Sequence, residues 1–148
     1  MDKIHQWLLS RRVVHFGDVD PAGVVYFSQL FEWSHIAWEE SLKSYGLVES
    51  EIFPQSLAAE NNPKVALPII YCQANFLFPM RLGDQVSIHL APKKIDQCTF
   101  EVQSKFYLHQ KEIALAMIRH VAIDSKTRER CQIPENLNRW IESSSIGM

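Results

Sequence analysis

The sequence predicts an α+β fold in which one long helix lies against an antiparallel sheet. Three observations carry this: a single amphipathic run near the N-terminus, four strand-like stretches after it with no second long helical period, and short breaks between those stretches. The apolar run Val13, Val14 and Phe16 reads as the end of a first strand, and Pro21-Ala22-Gly23 then turns the chain. Beyond the turn, Phe27, Leu30, Phe31, Ser34, Ala37, Trp38, Ser41, Leu42 and Tyr45 recur at spacings of three and four, the buried face of a helix. Gly46 suits its C-terminal stop.

After the helix, residues 48–67 form a mixed connection that contains Glu60, Asn61, Asn62 and Pro63, and a connector of this length often walls a binding site. Strands are expected over residues 67–78, 85–92, 98–109 and 112–123, the last two joined by a tight hairpin at Gln110-Lys111. Phe100, Val102, Ser104 and Phe106 alternate with Thr99, Glu101, Gln103 and Lys105, as in a sheet with one buried face. The helix is expected to cover that face, giving the order β-α-β-β-β-β. Leu137, Trp140 and Ile141 share one side of a short final helix over residues 134–143.

Composition suits one compact domain over residues 1–148, since the chain is 47% hydrophobic and 22% charged, and its core is expected at about 11–124. A formal charge of −2 provides no basic field for nucleic acid, so no nucleic-acid partner is expected. Cys72, Cys98 and Cys131 are odd in number and far apart in sequence, which fits free thiols in a reducing cytoplasm. No apolar run approaches the roughly 18 residues of a membrane span, and the first residues lack a secretory profile. Ser10-Arg11-Arg12 is followed too soon by charge for a twin-arginine signal. A soluble cytoplasmic protein without a membrane partner is expected.

The stretch with most chemical content is Phe16 to Phe27, F-G-D-V-D-P-A-G-V-V-Y-F. It sets Asp18 and Asp20 beside a turn and immediately before the long helix. Either acid reads simply as a turn residue, because Asp bonds its own backbone and caps helices. Alternatively, the unpaired N–H groups and partial positive charge of a helix start polarise a carbonyl oxygen, and a neighbouring aspartate activates water or attacks the carbonyl carbon. The chain has no G-x-S-x-G elbow, P-loop, G-x-G-x-x-G or H-E-x-x-H, so other hydrolase, nucleotide and zinc readings lack their motifs. His35 and Glu39 share a helical face but read as a core-edge pair, so no metal and no cofactor is expected. Trp33 and Trp38 read first as packing residues. His15 is expected on the strand that enters the stretch.

Asp18, Asp20, Pro21, Gly23, Val25, Tyr26, Phe31 and Trp33 resemble the D-x-D-x-x-G-x-V-Y signature of the 4-hydroxybenzoyl-CoA thioesterase family, which has the hot-dog fold. The resemblance implies that this is an acyl-CoA thioesterase with Asp20 as its catalytic carboxylate, either general base or nucleophile. It also implies backbone N–H groups of Tyr26 and Phe27 as the oxyanion site, with Asp18 and Gly23 supporting the motif. The run 13–47 and the strand-rich remainder to about Asp124 are most similar to the cyanobacterial branch that hydrolyses 1,4-dihydroxy-2-naphthoyl-CoA in phylloquinone synthesis. Phe27, where short-chain relatives usually carry His, points to an aromatic acyl group. The 4-hydroxybenzoyl and short-chain acyl thioesters are the alternatives.

The family's phosphate-gripping basic residues do not map cleanly onto Asp96, Gln97 and Cys98; Arg81, Lys93 and Lys94 substitute on charge alone. The resemblance further implies a homo-oligomer with sites at the subunit interface, a dimer of dimers. A non-catalytic acyl-CoA binding module is the competing class, since a fold does not fix a function. Release of free thiol from an acyl-CoA separates the two.

Overall fold

A computed structural model describes residues 4–55 and 62–145. Strand β1 (Leu9–Val13) leads through two turns to helix α1 (Gln29–Tyr45), and a single-turn helix α2 (Glu49–Ile52) follows. Then come β2 (Val65–Ala66), β3 (Ile69–Phe76), β4 (Gln85–Lys94), β5 (Thr99–Leu108), β6 (Lys111–Val121), β7 (Ile123–Asp124) and α3 (Glu135–Ser145). The main sheet is antiparallel in the order β1-β4-β5-β6-β3, while β2 and β7 pair separately. The expected element order is therefore present, with β2, β7 and α2 added. The wall expected from the connector falls partly on Glu60 and Asn61, which lie outside the described residues.

Period-two burial accounts for the layers. Val86, Ile88 and Leu90 of β4, Phe100, Val102, Ser104 and Phe106 of β5, and Ala114, Ala116, Ile118 and His120 of β6 are buried on one face. Leu30, Trp33, Ala37, Trp38 and Leu42 of α1 close over it in one contiguous core. Gly46 ends α1 at φ 115°, a left-handed conformation, and its N–H bonds back to the carbonyls of Leu42 and Lys43. Trp140 Nε1 donates to Ser41 Oγ at 3.1 Å and so fastens α3 to the back of α1. Phe16 departs from its expected place: β1 stops at Val13, residues 16–18 form a 3-10 turn, and the Phe16 side chain is 81% exposed. His15 likewise starts that turn and is not part of the strand.

One core residue carries a prediction. His120 is buried on β6, with Nδ1 donating to the Leu67 carbonyl at 2.9 Å and its ring stacked on Phe100. Burial pushes its pKa down to about 4, against the opposing pull of that carbonyl. Burial also lowers His35, which packs beside Trp38. Above pH 6.5, the ordinary histidine value, both the folded and unfolded chains hold neutral imidazole at this position. As pH falls toward 4 only the unfolded chain takes the proton, so stability drops by about 3 kcal/mol. Urea titrations at pH 7 and pH 4 should show that loss in the wild type and a smaller one in His120→Gln.

Candidate active site

The D-V-D stretch is built as two nested turns, and each aspartate holds one of them. Asp18 is buried. Its Oδ2 accepts the His15 N–H at 2.8 Å, its own N–H donates to the His15 carbonyl at 2.9 Å, and its Oδ1 lies 3.7 Å from Arg12 Nη2. Asp20 starts the second turn, where its N–H donates to the Val24 carbonyl at 2.8 Å and Gly23 N–H donates back to the Asp20 carbonyl at 2.9 Å. Gly23 sits at φ 83° with open space where a Cβ would be, so the position demands glycine for its backbone angle. Asp20 Oδ1 accepts the N–H of Ala22 at 2.8 Å and of Val24 at 3.4 Å. Both bonds use one oxygen. Oδ2 has no hydrogen bond among the described residues.

The second turn is pinned to the rest of the fold. Val25 N–H donates to the Met80 carbonyl at 2.9 Å, Val24 bridges Arg81, and Val19 bridges Val25. The chain then passes Tyr26, Phe27 and Ser28 into α1. Tyr26 N–H, expected from the sequence at the oxyanion site, donates to the Asp18 carbonyl at 3.0 Å and so joins the helix start to the carboxylate turn. The amides of Phe27 and Ser28 have no acceptor among the described residues. Ser28 forms no side-chain cap among the described residues, and the N–H groups of Gln29, Leu30 and Phe31 donate to the carbonyls of Tyr26, Phe27 and Ser28, so the amides left open at this helix start are those of Phe27 and Ser28.

An apolar pocket of about 270 Å³ adjoins the turn, lined by Val24, Val25, Phe76, Leu77, Phe78 and Pro79. The Phe27 ring meets Phe31 and Phe76 edge to face at 5.5 Å and 6.3 Å. Lys111 Nζ stands 3.3 Å from the Phe78 ring centroid. A free carboxylate oxygen, unpaired helix-start amides and an aromatic hollow thus occupy one corner, as attack on a thioester carbonyl requires.

Residues 14–141 match the thioesterase-like superfamily. The chain belongs to that superfamily. A 1,4-dihydroxy-2-naphthoyl-CoA hydrolase of Prochlorococcus marinus strain MIT 9303 is 52% identical to this thioesterase over 95% of this chain and 93% of its own. Among solved structures, a putative thioesterase from Prochlorococcus marinus MIT 9313 is 50% identical with a TM-score of 0.90, covering 94% of this chain and 96% of its own. A 1,4-dihydroxy-2-naphthoyl-CoA thioesterase from Synechocystis is 26% identical with a TM-score of 0.80, covering 90% and 94%.

The thioesterase does not gather the three basic residues expected to grip coenzyme A. Arg81 lies beside the Asp20 turn before β4 begins, with its N–H on Asp84 Oδ2 at 2.8 Å. Lys93 and Lys94 close β4, roughly 30 Å of extended strand away. They line an open groove of about 880 Å³ with Gln73, Met117 and Arg119, and Lys93 faces Glu101 across the strands. The extended β4 runs between them, so Arg81 before its start and Lys93 and Lys94 at its close lie at opposite ends of the strand.

Among the described residues no cluster of His, Cys, Asp and Glu could hold a metal ion. Glu39 pairs by hydrogen bond with Glu49, which raises its pKa, while His35 packs against Trp38 and Phe53. The pocket residues Phe76 to Pro79 were not singled out from sequence. Their signal was the F-L-F-P run, which read only as a strand end and a turn.

Proposed function

We propose that this thioesterase hydrolyses 1,4-dihydroxy-2-naphthoyl-CoA to 1,4-dihydroxy-2-naphthoate and coenzyme A. The observation that carries the reading is the corner where Asp20 Oδ2 is free beside the open Phe27 and Ser28 amides and the Phe76–Phe78 hollow. The aromatic acyl group packs on Phe76, Leu77 and Phe78, and its thioester oxygen points to the helix-start amides. Asp20 removes a proton from water, which adds to the carbonyl carbon, or adds to that carbon itself and forms an anhydride that water opens; the thiolate leaves in either route. Asp18 and Gly23 hold the turn in shape. The names of the relatives at 52% and 26% identity supply the substrate class.

The test is a free-thiol assay on 1,4-dihydroxy-2-naphthoyl-CoA, 4-hydroxybenzoyl-CoA and short aliphatic acyl-CoAs. Selectivity for an aromatic thioester of at least about tenfold in kcat/KM is expected, the scale a shaped apolar pocket confers. Equal rates on all of them would sink the aromatic assignment, and tight binding without thiol release would favour a binding module.

The assembly we propose is a dimer joined along the open edge of β3, with two dimers pairing into a tetramer. Arg81 from one copy and Lys93 or Lys94 from another are then candidates for the coenzyme A phosphates. The whole chain acts as one domain around its main sheet. No helix among the described residues is long and apolar enough to cross a membrane, and all three cysteines are free, which suits a cytoplasmic enzyme.

A further inference from the structure

One side chain touches both the carboxylate turn and the helix, and no sequence motif marks it. Arg12 lies on β1 directly opposite Val86, whose side chain is buried, so Arg12 faces α1. Its guanidinium carbon stands 5.0 Å from the Trp33 ring centroid on α1, and its Nη2 lies 3.7 Å from Asp18 Oδ1. A cation that both stacks on an aromatic face and meets a carboxylate fixes two elements at once, which lysine's point charge does less well.

Burial gives this contact leverage over the site. The Asp18 side chain is 10% exposed, and a carboxylate so withdrawn from water needs a counter-charge to keep its place. Asp18 in turn accepts the Tyr26 N–H through its main-chain carbonyl at 3.0 Å, which sets the peptide before the Phe27 amide. Asp20 follows Asp18 by two residues in the same turn system. Any shift of Asp18 therefore moves the attacking carboxylate and the oxyanion donor relative to each other.

The hydrogen bonding around Arg12 is incomplete. Among the described residues Arg12 Nε and Trp33 Nε1 are buried without acceptors, and Gln29 Oε1, one turn before Trp33, is buried without a donor. Buried polar atoms are normally satisfied, and unsatisfied ones concentrate where geometry is held for function. We propose that Arg12 is a positioning residue for thioester hydrolysis, which sets the separation between Asp20 and the Phe27 N–H through Trp33 and Asp18. This role rests on the hydrolase reading above, and part of its test does not depend on turnover.

Arg12→Met, Arg12→Lys, Asp18→Asn and the Arg12→Met/Asp18→Asn pair are compared by steady-state kinetics and by amide hydrogen exchange. In Arg12→Met, kcat should fall about 10- to 100-fold, as for a misplacement of about 1 Å. KM should stay within about twofold of the wild type. Arg12→Lys should recover part of the rate, and the double variant should lose no more than the worse single one. Exchange of the Tyr26 amide should rise about tenfold while the β5 amides keep their protection.

A folded Arg12→Met variant with wild-type kcat, an unchanged Tyr26 amide, or an equal loss of protection throughout the sheet overturns the proposal. If Arg12→Met does not fold, Arg12→Lys carries the same two readings. If the wild-type protein releases no thiol from any acyl-CoA, the functional reading fails, and Tyr26 exchange alone decides the role of Arg12.

Discussion

Replacing Asp20 with asparagine is expected to lower kcat by about 10²- to 10⁴-fold while leaving the fold and the Tm essentially unchanged. The two halves of that expectation come from different oxygens. Oδ1 holds the turn by accepting the Ala22 and Val24 amides, and the asparagine side-chain carbonyl is as good an acceptor for both. Oδ2 makes no hydrogen bond among the described residues, and in asparagine it becomes an NH₂ that neither takes a proton from water nor attacks a carbonyl. The loss should appear in kcat and in kcat/KM alike, since the missing interaction belongs to the transition state. Circular dichroism and thermal melts of Asp20→Asn beside its thiol-release rate check both halves. A folded variant with near-normal turnover would remove Asp20 from the chemistry altogether. Asp18→Asn should cost less, because Asp18 acts only through the positions of others.

What the sequence made legible was periodic. The spacing of Leu30, Ala37, Trp38 and Leu42, and the alternation of Phe100, Val102, Ser104 and Phe106, each report a side chain's distance from the core, and both layers followed from them. Phe16 broke the inference because an apolar residue in a run was read as the end of the first strand, whereas the chain had already left the sheet at Val13. The short β2–β7 ladder was also invisible: two residues are too few for a period, and their partner lies almost sixty positions away.

The site divides along the same line. The turn at Asp20 and Gly23 was legible because local turn chemistry dictates residue type, whereas the hydrogen bond of the Tyr26 amide was not, because its acceptor, the Asp18 carbonyl, is fixed by a backbone path that no side chain encodes. Arg12 read only as half of a discarded signal motif. Its contacts with Trp33 and Asp18 join β1, α1 and the turn, a meeting of three elements that exists only after folding.

Disrupting the open edge of β3 is expected to dissociate the protein and to lower kcat/KM by about 100-fold together. Among the described residues strand β3 pairs only with β6, so its other edge carries unpaired backbone groups there. Edges left to water are usually blunted by charge or proline, yet I-I-Y-C-Q-A-N-F has neither, and Ile69, Ile70 and Tyr71 are about half exposed. Such an edge suits a second copy related by a two-fold axis, which would pair antiparallel and bury the apolar side chains of both strands. The chain leaving this edge is Leu77, Phe78 and Pro79, the wall of the hollow beside Asp20, so pairing would close a pocket that one copy leaves open. Ile70→Glu with Cys72→Glu sets like charges against each other across that axis, while both side chains stay exposed in the single chain. Light scattering should then report a monomer with a native circular dichroism spectrum and little thiol release. If the double variant keeps the wild-type mass, the dimer does not use this edge; if it is monomeric yet fully active, the second copy adds nothing to the pocket.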